Sequence, residues 1–591
     1  MHSGIEPDRR SRWRPVTIGL ALRRVLREGY TGRELRADIA AGLTVGVVAL
    51  LLSMALAIAS GVAPQHGLYT AIVAGAVIAL CGGSKFQVSG PTAAFVVILA
   101  PIAAQSGLGG LLVATMLAGL LLVAMGLARL GRLVELVPYP VTTGFTAGIA
   151  VVIASLQLKD LLGIESPMPG PFFDRMAALV DAAPGIRPAE LGMGLATLVL
   201  LVVWPRFSRR LPGPLVALAL AGAAAFLLER FTGLSFNTVH DRFSYPVGGL
   251  VGHGIPRLPP APVLPWHLPG AGGAPFVLSL ETLRALLPAA FTIAMLGAIE
   301  SLLSAVVADG MTGKRHDPDT ELVAQGLGNF VAPFFGGIAA TGAIARTATN
   351  VRAGARSPIA AVIHSLFVLV AVMVAAPVLG WLPMSALAAM LLHVAWRISE
   401  ARLVLRLVRR APGSDLFVLA TCFFLTVIFD MVVAVGVGIV LASLLFMRRM
   451  ADVASVRLVS GEELGEASPV PTGWMCYELA GPLFFGAAQK AMSAVRITGA
   501  GVRGLVFDLR AVPMLDATGI VALEATVQRL EQEGVFVVLA GVQPQPLRVL
   551  ARAGFRNRPG RLAIGRSFEQ AMDLVGRTRF PDVVAGEPPP T

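Results

Sequence analysis

From residue 39 to residue 446 the chain is crowded with apolar segments, a pattern that only lipid solvates at this density. Allowing roughly 20 residues for a full crossing, and fewer for an interrupted one, gives about fourteen segments. They cover 39–61, 68–82, 91–104, 111–128, 141–158, 191–204, 214–228, 286–307, 322–335, 342–351, 358–375, 386–396, 416–429 and 431–446. Composition agrees: 55% of residues are hydrophobic and 14% charged, with a mean hydropathy of +0.74, whereas soluble domains run to about a quarter charged. The net charge of +12 does not mark a nucleic-acid face, because the arginines stand at the ends of apolar runs, where they set orientation.

That orientation follows from the loops. With the N-terminus in the cytoplasm, the inside links carry Arg129/Arg132, Arg206/Arg209/Arg210, Lys314/Arg315, Arg352/Arg356 and Arg402/Arg406/Arg409/Arg410. Arg448/Arg449 follow the last segment, and the Pro/Gly-rich link at 248–273 is poor in basic residues, as an outside loop should be. Arg23, Arg24, Arg27, Arg33 and Arg36 precede the first segment, and residues 1–15 are polar and basic with no cleavable signal after them. Cys81, Cys422 and Cys476 are isolated, without metal spacing or an even disulfide set, and read as structural thiols.

Two segments look too short to cross. One follows Ser89-Gly90-Pro91-Thr92-Ala93 and the other follows Ala340-Thr341-Gly342-Ala343, and each begins roughly 50 residues after the start of its half's first helix. Matched Gly/Pro-interrupted segments are the sequence mark of a midplane site in an inverted-repeat transporter; the competing reading is ordinary loop glycine and proline. Half-helix N-termini present unpaired N–H groups and a positive dipole end, so two of them facing each other make an anion site without a counter-ion. Its expected lining is Val88–Ala93 and Thr341–Ile344, with Arg346 one turn in as a fixed positive charge or, alternatively, as an arginine snorkelling beside Arg352. Lys85 reads as an interfacial anchor.

Glu300 is the only ionisable group between Leu286 and Val307. An intramembrane acid is a functional-site hypothesis by default. A helix that bends outward early would instead leave it at the headgroups, although apolar residues continue for about two turns beyond it. Ser304 is one turn away on the same face. Burial disfavours the charged form of a carboxylate, which suits a group that loads and releases a proton. Asp309, His316, Asp317 and Asp319 read as a solvated loop, His364 as a satisfied core histidine, and Gln325 with Asn329 as bonds between helices.

After Arg449 strands alternate with helices. Strands are expected at 456–458, 474–479, 504–510 and 535–541, and helices at 517–533 and 545–553, giving a small α/β domain with a largely buried sheet. Asp516 and Thr518 stand at a strand-to-helix turn, where such residues cap the helix. The expected division is 1–38 cytoplasmic, 39–449 transmembrane, 450–578 the α/β domain and 579–591 a disordered tail.

The order of elements resembles the SulP family of anion transporters. Residues carrying the resemblance are Ala63-Pro64-Gln65-His66-Gly67-Leu68-Tyr69, SGPTAA at 89–94, ESLLSAVVADGMTG at 300–313, Gln325-Gly326-Leu327-Gly328-Asn329 and Arg346-Thr347. Leu515-Asp516-Ala517-Thr518-Gly519 takes the place of the signature turn of a STAS domain. GAIESLLSAVVADGMTGKRH, AQGLGN and GGIAATGAIARTATNVRAGA look closest to the bacterial C4-dicarboxylate (DauA-like) branch. The resemblance implies fourteen segments in a 7+7 inverted repeat, with a core domain moving against a gate domain and a cytoplasmic α/β STAS domain. It also implies substrate contacts from Ser89, Gly90, Pro91, Thr92, Ala93, Thr341, Gly342, Ala343, Ile344 and Arg346. Where the family has Asp at the position of Glu300 and a hydroxyl at that of Ser304, it implies a sodium site; a glutamate there points to proton coupling. Asp516 and Thr518 become candidates for regulation. A homodimer in the bacterial inner membrane, both termini cytoplasmic, and a soluble partner for the STAS domain complete the expectation.

Two departures stand out. Leu51-Leu52 replaces a Pro-Gln pair often found in the first helix, and Ala345 replaces a hydroxyl residue before the arginine. The leading expectation is proton-coupled uptake of C4-dicarboxylates such as succinate. Sulfate or bicarbonate transport, possibly with sodium, and an anion-sensing scaffold acting through the STAS domain are the alternatives. No Walker motif, metal cluster or nucleophile elbow points to an enzyme or a cofactor.

Overall fold

A computed structural model describes residues 16–134, 137–166, 168–208, 211–247, 250–429, 431–459, 473–495 and 501–577. Residues 1–15, Arg209, Arg210, Gly248 and the expected tail at 579–591 lie outside the described residues. The chain forms two compact units, Met1–Ile439 and Val440–Thr591.

Every expected segment falls on a helix, the last of which, Met431–Val453, runs from the first unit into the second. The helices are Gly32–Ala59, Pro64–Cys81, Ala93–Leu127, Tyr139–Leu162, Pro188–Phe207, Gly213–Thr232, Leu280–Thr312, Pro318–Val331, Ile344–Arg352, Ile359–Gly380, Met384–Ile398, Gly413–Ile428 and Met431–Val453. Among the described residues, nine helices are long and apolar enough to cross a membrane. Segments three and four share Ala93–Leu127, which breaks at Gly107 (φ 67°, ψ −173°) without an intervening loop. A side chain at Gly107 would land 2.1 Å from the Gly270 carbonyl carbon, so glycine both permits the left-handed turn and admits the neighbouring backbone.

The helices sort into two groups. Pro318–Val331 packs on Ala93–Leu127 and Pro64–Cys81, Leu280–Thr312 packs on Ala93–Leu127, and Ile359–Gly380 packs on Gly32–Ala59. Separately, Tyr139–Leu162 packs with Gly413–Ile428 and Met384–Ile398, and the latter also packs on Pro188–Phe207. These two packing groups, a core group and a gate group, accord with the core and gate domains that the resemblance implies.

Core contacts are made by backbone approaching backbone. A Cβ at Gly326 would stand 2.6 Å from the Gly119 carbonyl oxygen, and one at Gly119 would stand 2.7 Å from that of Gly326. Small residues allow this closeness, which is how helices associate where lipid removes the hydrophobic drive. Gly326→Val is therefore expected to cost about 3 kcal/mol, the upper end of overpacking, because neither neighbour is a side chain that can turn aside. Thermal unfolding of the purified protein checks it, and an unchanged midpoint refutes the reading.

The same group buries two acids and satisfies both. Asp38 accepts from the amides of Arg356 (2.6 Å) and Ser357 (3.2 Å), from the Ser357 hydroxyl and from Tyr30 (2.7 Å). Glu321 accepts from the amides of Gly83 (2.9 Å) and Ser84 (3.1 Å) and from Gln87 (2.9 Å) and Gln325 (3.2 Å). A buried carboxylate with this many donors is tolerated and also stapled to them.

The second unit is a five-stranded sheet. Ser455–Val459 is antiparallel to Trp474–Ala480, followed by Gly504–Ala511, Phe536–Ala540 and Leu562–Ile564, all parallel. Alternate residues of Gly504–Ala511 feed two cores. Leu505, Phe507 and Leu509 meet Leu523, Val527 and Leu530, while Val506 meets Phe568 and Met572. The expected strands and helices are present; Leu562–Ile564, Phe485–Ser493 and Phe568–Arg577 are additional. Burial pushes the Cys476 thiol up to about 12, in keeping with a structural role.

Asp516 caps Ala517–Gln532, its carboxylate accepting from the Gly519 amide at 2.8 Å, and Thr518 is exposed on the first turn. Asp516→Ala is expected to destabilise this unit by about 1 kcal/mol, read as a lower denaturant midpoint at unchanged slope. Thr518→Ala, which makes no cap bond, should leave the midpoint in place.

Candidate functional site

The two interrupted segments meet. Ser89 pairs with Gly342 and Gly90 with Thr341 in a two-residue antiparallel ladder, extended by the Ala343 amide donating to the Val88 carbonyl at 3.0 Å. Pro91 and Thr92 then lead into the first half-helix, which starts at Ala93, and Ala343 leads into the second, Ile344–Arg352. Gly90-Pro91 breaks helical hydrogen bonding on one side, and Gly342 breaks it on the other. Neither N-cap side chain bonds to its first turn, so both N-termini keep their amide donors and their dipole ends uncapped by a side chain.

Arg346 ties the pair together. It is 4% exposed, and its Nη2 donates to the Pro91 carbonyl at 3.1 Å and to Ser53 Oγ at 3.2 Å. Its Nη1 has no partner among the described residues, and a Cβ at Gly90 would stand 2.5 Å from it. Only glycine leaves room there. The arginine therefore does not snorkel to the surface beside Arg352; it reaches from the second half-helix to the entrance of the first.

Glu300 lies at the same level. Its Oε2 accepts from the Thr92 hydroxyl at 2.7 Å, so the acid stands beside the N-cap of the first half-helix and the outward-bending alternative fails. Ser304 turns to the other half-helix, donating to Thr347 Oγ1 at 2.9 Å, which in turn accepts from the Val88 amide at 3.1 Å. The two residues expected to act together thus brace opposite half-helices from one side of Leu280–Thr312. Ser89, Gly90, Pro91, Ala93, Thr341, Gly342 and Arg346 are buried, whereas Thr92 and Ala343 are half-buried and Ile344 is exposed.

Around this centre are further groups, of which Ser53, Gln87 and Glu321 carry no mark in the sequence. Ser53 comes from an apolar helix, and Thr347 belongs to the Arg346-Thr347 pair, to which the sequence assigned no bonding role. Gln87 donates to Ser301 Oγ at 2.8 Å as well as to Glu321. Gln325 donates to Ser89 Oγ at 3.0 Å, and Asn329 exchanges two 2.8 Å bonds with Ala340, so both tie their helix to the extended segments leading into the half-helices and not, as expected, to another helix. Thr341 is held through its hydroxyl to the Gly297 carbonyl at 2.9 Å. Lys85 pairs with Glu28 at 2.6 Å and holds that carboxyl below its ordinary range.

Two more expectations are corrected. His364 is fully buried, but neither ring nitrogen has a partner among the described residues, so it is not a satisfied core histidine. The stretch from Asp309 to Asp319 is not a solvated loop. Asp309 accepts from the His316 amide at 3.1 Å and pairs with its ring at 2.8 Å, Asp317 caps the next helix through Thr320, and Asp319 accepts from the Gly131 amide at 3.1 Å. Acids were free to fold inward there because each found a backbone donor. Among the described residues, no group of three His, Cys, Asp or Glu is placed to hold a metal.

Comparison with known proteins places this geometry. The sulfate permease family model matches residues 35–422, and the STAS domain model matches residues 467–571. The chain is 38% identical over 536 residues to the putative sulfate transporter YvdB of Bacillus subtilis, covering 90% of this chain and 96% of that protein. It is 30% identical over 541 residues to the bicarbonate transporter BicA of Picosynechococcus, covering 88% and 91%. The solved transmembrane domain of a cyanobacterial BicA aligns with a TM-score of 0.59 at 30% identity, over 68% of this chain and 98% of that one. Murine solute carrier 26 family member A9, in its inward-facing state, shares the fold with a TM-score of 0.79 at 18% identity, over 95% and 94%. The chain belongs to the sulfate permease family and carries a C-terminal STAS domain.

Proposed function

We propose that the chain is a secondary transporter of a small oxyanion, sulfate or bicarbonate, bound where the two half-helix N-termini meet. The carrying observation is the buried guanidinium of Arg346, whose Nη1 is left without a partner between two uncapped dipole ends. A buried cation with a free donor beside two helix N-termini favours an anion, and a water-poor surrounding strengthens the attraction. The ladder and the Arg346–Pro91 bond bring the two half-helix N-termini and the guanidinium to one place. A C4-dicarboxylate, the first expectation, carries a second carboxylate several ångströms away and would need a second such focus. The names borne by the relatives favour a one-centre oxyanion as well.

Transport follows an elevator-like path in this reading. The core group carries the ladder and the anion past the gate group, and Glu300 takes up and releases a proton beside Thr92 as the site changes sides. Both termini are cytoplasmic, and the STAS domain arranges a homodimer or receives a soluble partner.

Uptake of labelled sulfate, bicarbonate and succinate into proteoliposomes, with proton and sodium gradients set independently, tests this. Sulfate or bicarbonate uptake that an inward proton gradient drives, and that the unlabelled anion competes away, is the expected result. Faster uptake of succinate than of either oxyanion overturns the one-centre site. Dependence on sodium alone overturns proton coupling.

A further inference from the structure

The arginine-rich link between segments twelve and thirteen is a helix, Ala401–Arg410, with no buried residue. Arg402, Arg406, Arg409 and Arg410 are all exposed, and none of them has a hydrogen-bond or ion-pair partner among the described residues. At about 100° per residue the four fall within one arc of roughly 100°. Leu403, Val404 and Leu407, half-buried, occupy the next sector, and the helix packs on Tyr139–Leu162. Leu405 (51% exposed) and Val408 (46% exposed) fill the remaining sector with apolar side chains. The surface is thus divided three ways, into a protein-facing sector, an apolar exposed sector and a cationic exposed sector. A helix in solvent has no use for the middle one, whereas a helix lying in the bilayer interface needs both exposed sectors side by side.

The flanks agree. Trp396, 68% exposed, stands just before the helix, and an exposed tryptophan at the end of an apolar segment marks the headgroup level. Glu400 adopts a left-handed conformation (φ 42°), rare for a residue with a side chain, and redirects the chain from Met384–Ile398 into this helix. Acidic headgroups complement four unpaired guanidinium groups, each of which forks onto a phosphate more readily than an ammonium does.

We propose that Ala401–Arg410 lies in the membrane interface and binds acidic phospholipid headgroups through Arg402, Arg406, Arg409 and Arg410. The site is separate from the anion pathway and does not depend on which anion is carried.

Purified full-length protein exposed to an equal mixture of phosphatidylglycerol and phosphatidylcholine, with retained lipid counted by native mass spectrometry, tests it. The wild type is expected to retain phosphatidylglycerol preferentially. Replacing all four arginines by glutamine should erase the preference, and Arg406→Gln alone should lower it about fivefold, the effect of one surface charge near an acidic leaflet. The single variant, with a thermal midpoint equal to wild type, guards against misfolding. Raised salt should weaken the preference. A wild type that retains both lipids equally, or a quadruple variant that keeps the wild-type ratio, overturns the proposal. Protection of residues 401–410 from hydrogen exchange that is the same in neutral and in acidic vesicles also overturns it, because the arginines then face protein.

Discussion

Arg346→Ala is expected to lower anion affinity about 100-fold, roughly the 3 kcal/mol lost when one member of a buried, hydrogen-bonded charge pair is removed. The side chain supplies a fixed positive charge at the ladder, and its Nη1 is the donor left over among the described residues after Nη2 has bonded Pro91 and Ser53. Truncation also frees the Pro91 carbonyl, so the first half-helix loses a tether along with the charge. Two companions separate these effects. Arg346→Lys keeps the charge but not the fork, and should recover part of the affinity without restoring both tethers. Ser53→Ala removes one tether and no charge, and should cost about threefold, the low end (about 0.6 kcal/mol) of the net worth of one hydrogen bond, because Nη2 keeps the Pro91 carbonyl. Binding measured by titration of the purified variants decides the matter. An Arg346→Ala protein of wild-type affinity and wild-type thermal midpoint would place the anion elsewhere.

The parts of this site that were legible share a property: each is written locally. Gly90-Pro91 and Gly342 break a helix wherever they fall in an apolar run, and Glu300 is conspicuous because nothing else between Leu286 and Val307 ionises. The pairing of Gln325 and Asn329 followed from four-residue spacing. What escaped is written across distance. Gln87 and Glu321 are 234 positions apart, and Ser53 and Arg346 are 293 apart, so neither partner looks unusual in its own window. Asp309 to Asp319 misled for the opposite reason. Their alternating charge has the local look of a solvated loop, yet the amides of His316, Thr320 and Gly131 turn those acids inward. The run-together of segments three and four at Gly107 is likewise a packing decision, made by the backbone of Gly270. The apolar segments themselves are read from composition and survive such local errors, although one helix, Ala93–Leu127, carries two of them.

Glu300→Gln is expected to leave anion binding within about twofold of wild type while uptake ceases to follow the proton gradient. The amide keeps an oxygen for the Thr92 hydroxyl, so the 2.7 Å bond and the N-cap geometry of the first half-helix persist. What disappears is the ability to exist in two charge states. With one proton per anion, each unit of inward pH difference supports about tenfold accumulation, because a pH unit is about 1.4 kcal/mol. In the variant that factor should fall to one, and uptake should depend only on the anion's own gradient. The sign is fixed by the chemistry: acidifying the outside loads the carboxylate on the side from which the anion enters, so wild-type uptake rises as external pH falls, and the glutamine line stays flat. Proteoliposomes with a clamped interior and a stepped exterior pH give both slopes in one series. A variant that still accelerates with external acid as steeply as wild type removes the proton from Glu300. One that loses a sodium dependence instead assigns the carboxylate to a cation site, with Thr92 as its neighbour and Ser304, already committed to Thr347, contributing only through its remaining lone pairs.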